Sequence, residues 1–250
     1  MSNQNRRHKG TVLVFGIIIG LLLAGCAGTP AKYETPLPFD PSVQKGTLEN
    51  GLTYFIRENS EPANRISLRL YVNAGSLLED EDQEGIAHLL EHMAFNGSTH
   101  FEKQELERFL ESLGMEFGPD LNAYTSFEET VYRLEIPADD EATVRRAFLV
   151  LQDWASGLLL QEEAIDAERL VVREEWRLRR GADARIRDAQ IPKLLEGSRY
   201  AERIPIGDMQ DVMNTPADRI RDYYRSWYRP ELMAVSVVGD IEQSRAEELV

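Results

Sequence analysis

The chain has a single cysteine, Cys26, which excludes any disulfide within it. Long apolar runs are just as scarce. The longest, Thr11–Leu23, has 13 residues, short of the roughly 20 that a membrane-spanning helix needs. Basic residues are in deficit: 28 Lys and Arg face 43 Asp and Glu, and no basic patch interleaves with aromatics. That balance argues against a nucleic-acid partner and suits a well-dispersed domain. No internal repeat recurs, which argues against a solenoid or propeller array. Only four histidines are present, at 8, 88, 92 and 100, so a pattern among them carries weight.

What is present begins with a core: hydrophobic residues make up 42% of the 250, enough for one large domain or two small ones. The first 25 residues stand apart. Arg6, Arg7 and Lys9 precede the apolar run, the order of a secretory signal peptide. The run ends Leu23-Ala24-Gly25-Cys26, which resembles the lipobox of bacterial lipoproteins, where cleavage before the cysteine is followed by its lipidation. The expectation is a lipoprotein signal peptide over 1–25 and a lipid on Cys26 that tethers the protein in the bacterial envelope, facing the periplasm. An ordinary secretory signal is the alternative. Ala27 in place of Asp is compatible with the outer membrane if the source is a Gram-negative cell, by analogy with lipoprotein sorting. Pro30, Pro36, Pro38 and Pro41 make 26–43 an extended tether, leaving 44–250 as the folded domain. Ala246 to Val250 has the composition of a helix interior with no cap, so a longer protein is expected.

Within the domain, Asn50-Gly51 between Val43–Leu48 and Leu52–Arg57 predicts a hairpin. Ile66, Leu68, Leu70 and Val72 alternate with polar residues as in a half-buried strand. Helices are predicted over Gly85–Phe95, Lys103–Leu113, Asp139–Trp154, Gln161–Arg180, Ala182–Leu195, Pro216–Trp227 and from Ile241 onward. Further strands are predicted over Asn122–Ser126, Thr130–Ile136 and Leu232–Val238. The elements lack the regular alternation of a parallel α/β fold, so the expected class is α+β, helices packed on an antiparallel or mixed sheet.

The residues that carry chemistry are His88-Leu89-Leu90-Glu91-His92, a His-x-x-Glu-His order that inverts the commoner zinc-protease motif. On a helix, His88 and His92 project from one face and can share one Zn²⁺. Glu91 lies close enough to that face to take a proton from the attacking water. A third ligand is needed. The long helix over 161–180 carries Glu162, Glu163, Glu168, Glu174 and Glu175. Glu168 and Glu175, seven apart, share a face, whereas Glu174 points roughly 100° away from Glu175. Geometry favours that pair without choosing within it.

The stretches Gly85–Ser98 and Glu168–Arg177 resemble the two signature segments of the pitrilysin (insulinase) family of zinc metallopeptidases, and most of all its bacterial lipoprotein or periplasmic zinc-protease branch. The similarity continues through Asn122-Ala123-Tyr124-Thr125, Arg203-Ile204-Pro205-Ile206-Gly207, and Tyr228-Arg229-Pro230 to Val238-Gly239-Asp240. It runs from about residue 44 to the last residue. The resemblance implies the fold of that family's N-terminal catalytic domain. It implies that His88, His92 and Glu175 bind Zn²⁺, that Glu91 is the general base, and that Glu168 orients a ligand by hydrogen bonding. Asn122 and Ala123 match a stretch that lines the substrate cleft. The implied activity is zinc-dependent endopeptidase action on peptides or small unfolded proteins. A second related domain, in the same longer chain or on a partner subunit, is implied to close over the peptide. A noncatalytic binding or assembly lipoprotein of the same fold is the other reading. Such members usually lose motif residues, and here His88, Glu91, His92 and Glu175 are all present.

Overall fold

Among the described residues, six strands form one mixed sheet in the order β1-β2-β6-β3-β5-β4. The strands are β1 (Gln44–Thr47), β2 (Thr53–Glu58), β3 (Ile66–Val72), β4 (Ala123–Thr125), β5 (Thr130–Ile136) and β6 (Met233–Gly239). The computed structural model describes residues 38–114 and 123–250. The signal segment, Cys26, most of the Pro-rich stretch and Asn122 lie outside them. All named elements fall within one compact unit, Pro41–Val250.

The hairpin forms where Asn50-Gly51 predicts it, with Gly51 at φ +95° and Gln44 opposite Ile56. Central β3 pairs antiparallel with β5 on one side and β6 on the other. Ile66, Leu68, Leu70 and Val72 are buried along it, while Arg69 and Tyr71 between them are exposed. One pairing is parallel, β2 with β6, Ile56 opposite Val237. The sequence expectation named an antiparallel or mixed sheet, and this ladder makes it mixed.

Eight α-helices accompany the sheet among the described residues: α1 (Ile86–Met93), α2 (Lys103–Ser112), α3 (Glu141–Ser156), α4 (Glu162–Leu178), α5 (Ala182–Leu194), α6 (Met209–Asn214), α7 (Ala217–Trp227) and α8 (Gln243–Leu249). Seven of these lie within a residue or two of the predicted spans. The exception is α6, which six residues leave too short to show a period; its one sequence signal is Asp208, whose side chain caps Gln210 N. In the same way Asp140 starts α3, accepting from Ala142 N and Thr143 N. α5 contains Pro192 and buries none of its residues. Among the described residues no helix is long and apolar enough to cross a membrane.

The core gathers Ile56, Leu68, Leu70, Leu134 and Val237 of the sheet with Leu89, Leu90 and Met93 of α1 and Trp154 of α3. Trp154 satisfies its indole N–H on the Ala94 carbonyl at 2.9 Å, so it both fills the core and stops α1. α1 touches β4, α4, α6 and α7. Of its eight residues only His92 is not buried. A helix enclosed this way can hold polar side chains only if other elements satisfy them, and these polar side chains are His88, Glu91 and His92.

Candidate metal centre

α1 and α4 pack side by side and bring the predicted residues together. His88 Nε2 lies 3.7 Å and His92 Nε2 3.2 Å from Glu175 Oε2. A possible donor atom of each residue falls within 4.8 Å of the others. Four tetrahedral bonds of ~2.05 Å hold donor atoms about 3.3 Å apart, so this spacing fits one Zn²⁺. Three donors leave a fourth direction free, the pattern of a catalytic rather than a structural zinc site.

Behind the donors lies a support network. His92 Nδ1 sits 2.9 Å from Glu168 Oε1. That contact uses one ring nitrogen and turns the other toward the centre, the usual way a carboxylate orients a metal-binding histidine. Asn96 in turn donates to Glu168 Oε2 at 2.8 Å and to the His92 carbonyl at 3.1 Å, and Lys103 Nζ donates to Asn96 Oδ1 at 2.7 Å. Arg179 pairs with Glu175 Oε1 at 2.9 Å, one helical turn on. Glu174, the carboxylate that the helical period turns away, pairs with Arg177 at the exposed surface. Beside Glu168, buried Arg169 donates to the carbonyls of Val212 and Thr215, tying α4 to the end of α6. Sequence reading assigned roles to neither Asn96 nor Lys103, since both have the composition of a helix stop and a solvent-facing helix start.

The charges follow from these partners. Burial pulls His88 down to about 4, so its ring stays neutral. Burial works the same way on His92, but its bonds to Glu168 and Glu175 outweigh it and push it up to about 9. Burial raises Glu168 and Glu175 too, yet bonds from His92, and from Asn96 to Glu168, hold both below the usual carboxylate range. Glu91 is buried next to the donors. Burial pushes it up to about 7, against the pull of His92 and of the Thr125 hydroxyl, which donates to Glu91 Oε2 at 2.9 Å. A carboxylate near 7 both accepts and returns a proton around neutral pH.

Thr125 belongs to β4, which ends the sheet. Ala123 is buried at the start of that strand, opposite Tyr132 of β5. The site thus sits where α1 meets the sheet's terminal strand. Thr125 was quoted in the sequence without a role; nothing in the sequence shows that its hydroxyl reaches Glu91.

The model of the family described as Insulinase (Peptidase family M16) matches residues 54–188, which include His88, Glu91, His92, Glu168 and Glu175. A second model, Peptidase M16 inactive domain, matches residues 215–250. A probable zinc protease PqqL of Haemophilus influenzae is 43% identical over 242 residues, 97% of this chain and 26% of that protein. Its Escherichia coli counterpart is 36% identical over 214 residues, 86% of this chain and 23% of the relative. The crystal structure of the first half of the periplasmic protease PqqL from Escherichia coli superposes with a TM-score of 0.81 at 37% identity, covering 85% of this chain and 46% of that one. The chain spans about a quarter of the length of these curated relatives. With the family model covering more than half of the sequence and both motif helices, the chain belongs to the insulinase family of peptidases.

Proposed function

We propose that the chain is the metal-bearing portion of a zinc-dependent endopeptidase that cleaves peptides or small unfolded proteins. The observation that carries this reading is the convergence of His88, His92 and Glu175, with His92 held from behind by Glu168. His88 Nε2, His92 Nε2 and Glu175 Oε2 would hold the ion. Bound there, Zn²⁺ would supply a Lewis acid that acidifies water and polarises the scissile carbonyl. Glu91 takes the proton of the attacking water and returns it to the leaving amine. The Thr125 hydroxyl fixes the direction of the Glu91 carboxylate. An extended peptide pairs with the outer edge of β4 by main-chain hydrogen bonds, which puts it beside Ala123; Asn122 is proposed as a further contact on the family resemblance alone. That pairing reads backbone more than side chains, in keeping with a broad substrate range.

The two E. coli structures with this fold are of a periplasmic protease, which supports the same compartment here. We extend this to a signal peptide over 1–25, a tether over 26–43 and a catalytic domain over 44–250, with a lipid on Cys26 as membrane anchor. Cys26→Ser should then move the protein from the membrane to the soluble fraction; unchanged partition would overturn the anchor. The inactive-domain match leaves a noncatalytic role as the other reading; it covers residues 215–250, which contain none of the metal-centre residues.

The test is metal analysis of the purified chain with Glu91→Gln and Glu175→Ala beside it. The unsubstituted chain and Glu91→Gln should each hold about one zinc, and Glu175→Ala much less. In a longer protein that carries both halves, Glu91→Gln should abolish peptidase activity while keeping the metal. Activity equal to the unsubstituted enzyme would remove Glu91 from its role, and a metal-free chain would favour the noncatalytic reading.

A further inference from the structure

The proposed chemistry leaves unexplained one buried carboxylate. Glu79 has no accessible surface, although it belongs to an acidic run, Glu79-Asp80-Glu81-Asp82, in which Asp80 and Asp82 pair with Arg219 at the surface. Its side chain turns inward and accepts two main-chain hydrogen bonds, from Gly85 N at 3.1 Å and Ala87 N at 2.8 Å. These are amides at the start of α1, which has no cap from its own N-cap residue, Gly85. A carboxylate there meets both the unpaired N–H groups and the positive end of the helix dipole.

Glu79 is itself held. Arg203, also buried, donates from Nε to the Glu79 carbonyl at 3.2 Å and from Nη1 to Glu84 at 3.1 Å. Arg199 donates to the same carbonyl. Ser76 Oγ donates to the Arg203 carbonyl at 2.6 Å. The segment from Arg199 to Gly207 therefore lies as a strap across the loop that leads into α1. Its far end presses on the helix start: a Cβ on Gly207 would fall 2.2 Å from Gly85 Cα, and a Cβ on Gly85 2.6 Å from Val212 Cγ2. Both glycines have positive φ, +70° and +94°, so two main chains meet at a distance no other residue pair permits.

We propose that Glu79 is a positioning residue for the metal centre: clamped by the Arg199–Gly207 strap, it fixes where α1 begins and so the direction in which His88, Glu91 and His92 project. With only eight residues in α1, a change in its first turn is carried to His88 one residue after Ala87 and to His92 one turn later. The inference rests on the zinc reading of the site for its functional meaning, but not for its structural content.

Two measurements on the full chain test it, zinc affinity by chelator competition and amide exchange of Leu89 to Met93 without metal. Glu79→Ala should weaken zinc about 10- to 100-fold, the range for residues that orient ligands, and speed exchange in α1. Glu79→Gln, which keeps the size and one acceptor oxygen, should restore part of both and serves if the alanine variant does not fold. Asp140→Ala, which removes the cap of remote α3, should lower the melting temperature yet leave zinc affinity and α1 exchange unchanged. Zinc affinity and α1 exchange unaltered in folded Glu79→Gln and Glu79→Ala would overturn the proposal. A fall in melting temperature alone, matching Asp140→Ala, would overturn it equally by showing a general structural role. If the unsubstituted chain binds no zinc, the metal reading fails by itself, and the exchange measurement still decides Glu79.

Discussion

At the scale of single residues the centre is a relay of hydrogen bonds, Lys103 to Asn96 to Glu168 to His92. Asn96 is the link with no freedom of chemistry. Its amide must donate toward Glu168 and accept from Lys103. Asn96→Asp keeps the shape, but sets a carboxylate against the Glu168 carboxylate. Like charges at that distance favour protonation of one of them, and a protonated Glu168 no longer draws the His92 Nδ1 proton. Zinc affinity should fall about 10- to 100-fold in Asn96→Asp, with the far-ultraviolet circular dichroism spectrum unchanged. Chelator competition measures it, and an undiminished affinity would show that Glu168 holds His92 without help. Much of this centre was legible beforehand. His88 and His92 declare themselves by spacing, and Glu168 and Glu175 by the two helical turns between them. Asn96 and Thr125 were not, because each acts across a gap between elements that no local pattern encodes. Glu79 was hidden differently, as one acid in a run of look-alikes, and only burial separates it from Asp80 and Asp82.

At the scale of elements the start of α1 is where burial and charge conflict. Burial pushes Glu79 up to about 8, although the amides of Ala87 and Gly85 and the Arg203 guanidinium pull it down and Glu84 adds to the rise. In the unfolded chain it titrates near 4.5. Between pH 4.5 and 8 the folded chain therefore keeps a proton that the unfolded chain has lost. Stability contributed by this group is largest below the unfolded value, declines as pH rises toward 8 and is level beyond it. Glu79→Gln has no such proton. The stability of the unsubstituted chain minus that of Glu79→Gln, from denaturant melts in chelator, should fall by a few kcal/mol over that window, at about 1.4 kcal/mol per pKa unit. A difference constant with pH would mean that the two amides and Arg203 keep Glu79 ionised throughout. Strand and helix positions followed from alternation and helical patterning, as in Ile66–Val72 and Lys103–Leu113. What local reading missed was long-range: the parallel ladder of β2 with β6, and the strap from Arg199 to Gly207. Both join segments far apart in sequence, and each depends on side chains or glycines whose partners lie elsewhere.

At the scale of the whole molecule, every proposed zinc ligand and the general base lie within Pro41–Val250, so metal binding should not need anything further. Peptide cleavage is a different demand. Among the described residues, a peptide paired with the outer edge of β4 would have the sheet's end on one side and no element on the other. Water reaching the scissile carbonyl from that side weakens each electrostatic contact on which the reaction depends. The relatives are roughly four times as long, and the solved structures include a larger protease of which the matched segment is about a quarter. We expect a second related domain in a longer protein to enclose the peptide and to contribute further contacts to it. The isolated chain should therefore bind about one zinc with the affinity of a longer protein, yet turn over a fluorogenic peptide at least about 100-fold more slowly, since orientation and exclusion of water supply several kcal/mol of a catalysed barrier. Adding the remainder of the longer protein in trans should restore part of the rate without changing zinc affinity. Equal turnover by the isolated chain and the longer protein would show that α1, α4 and β4 suffice for catalysis.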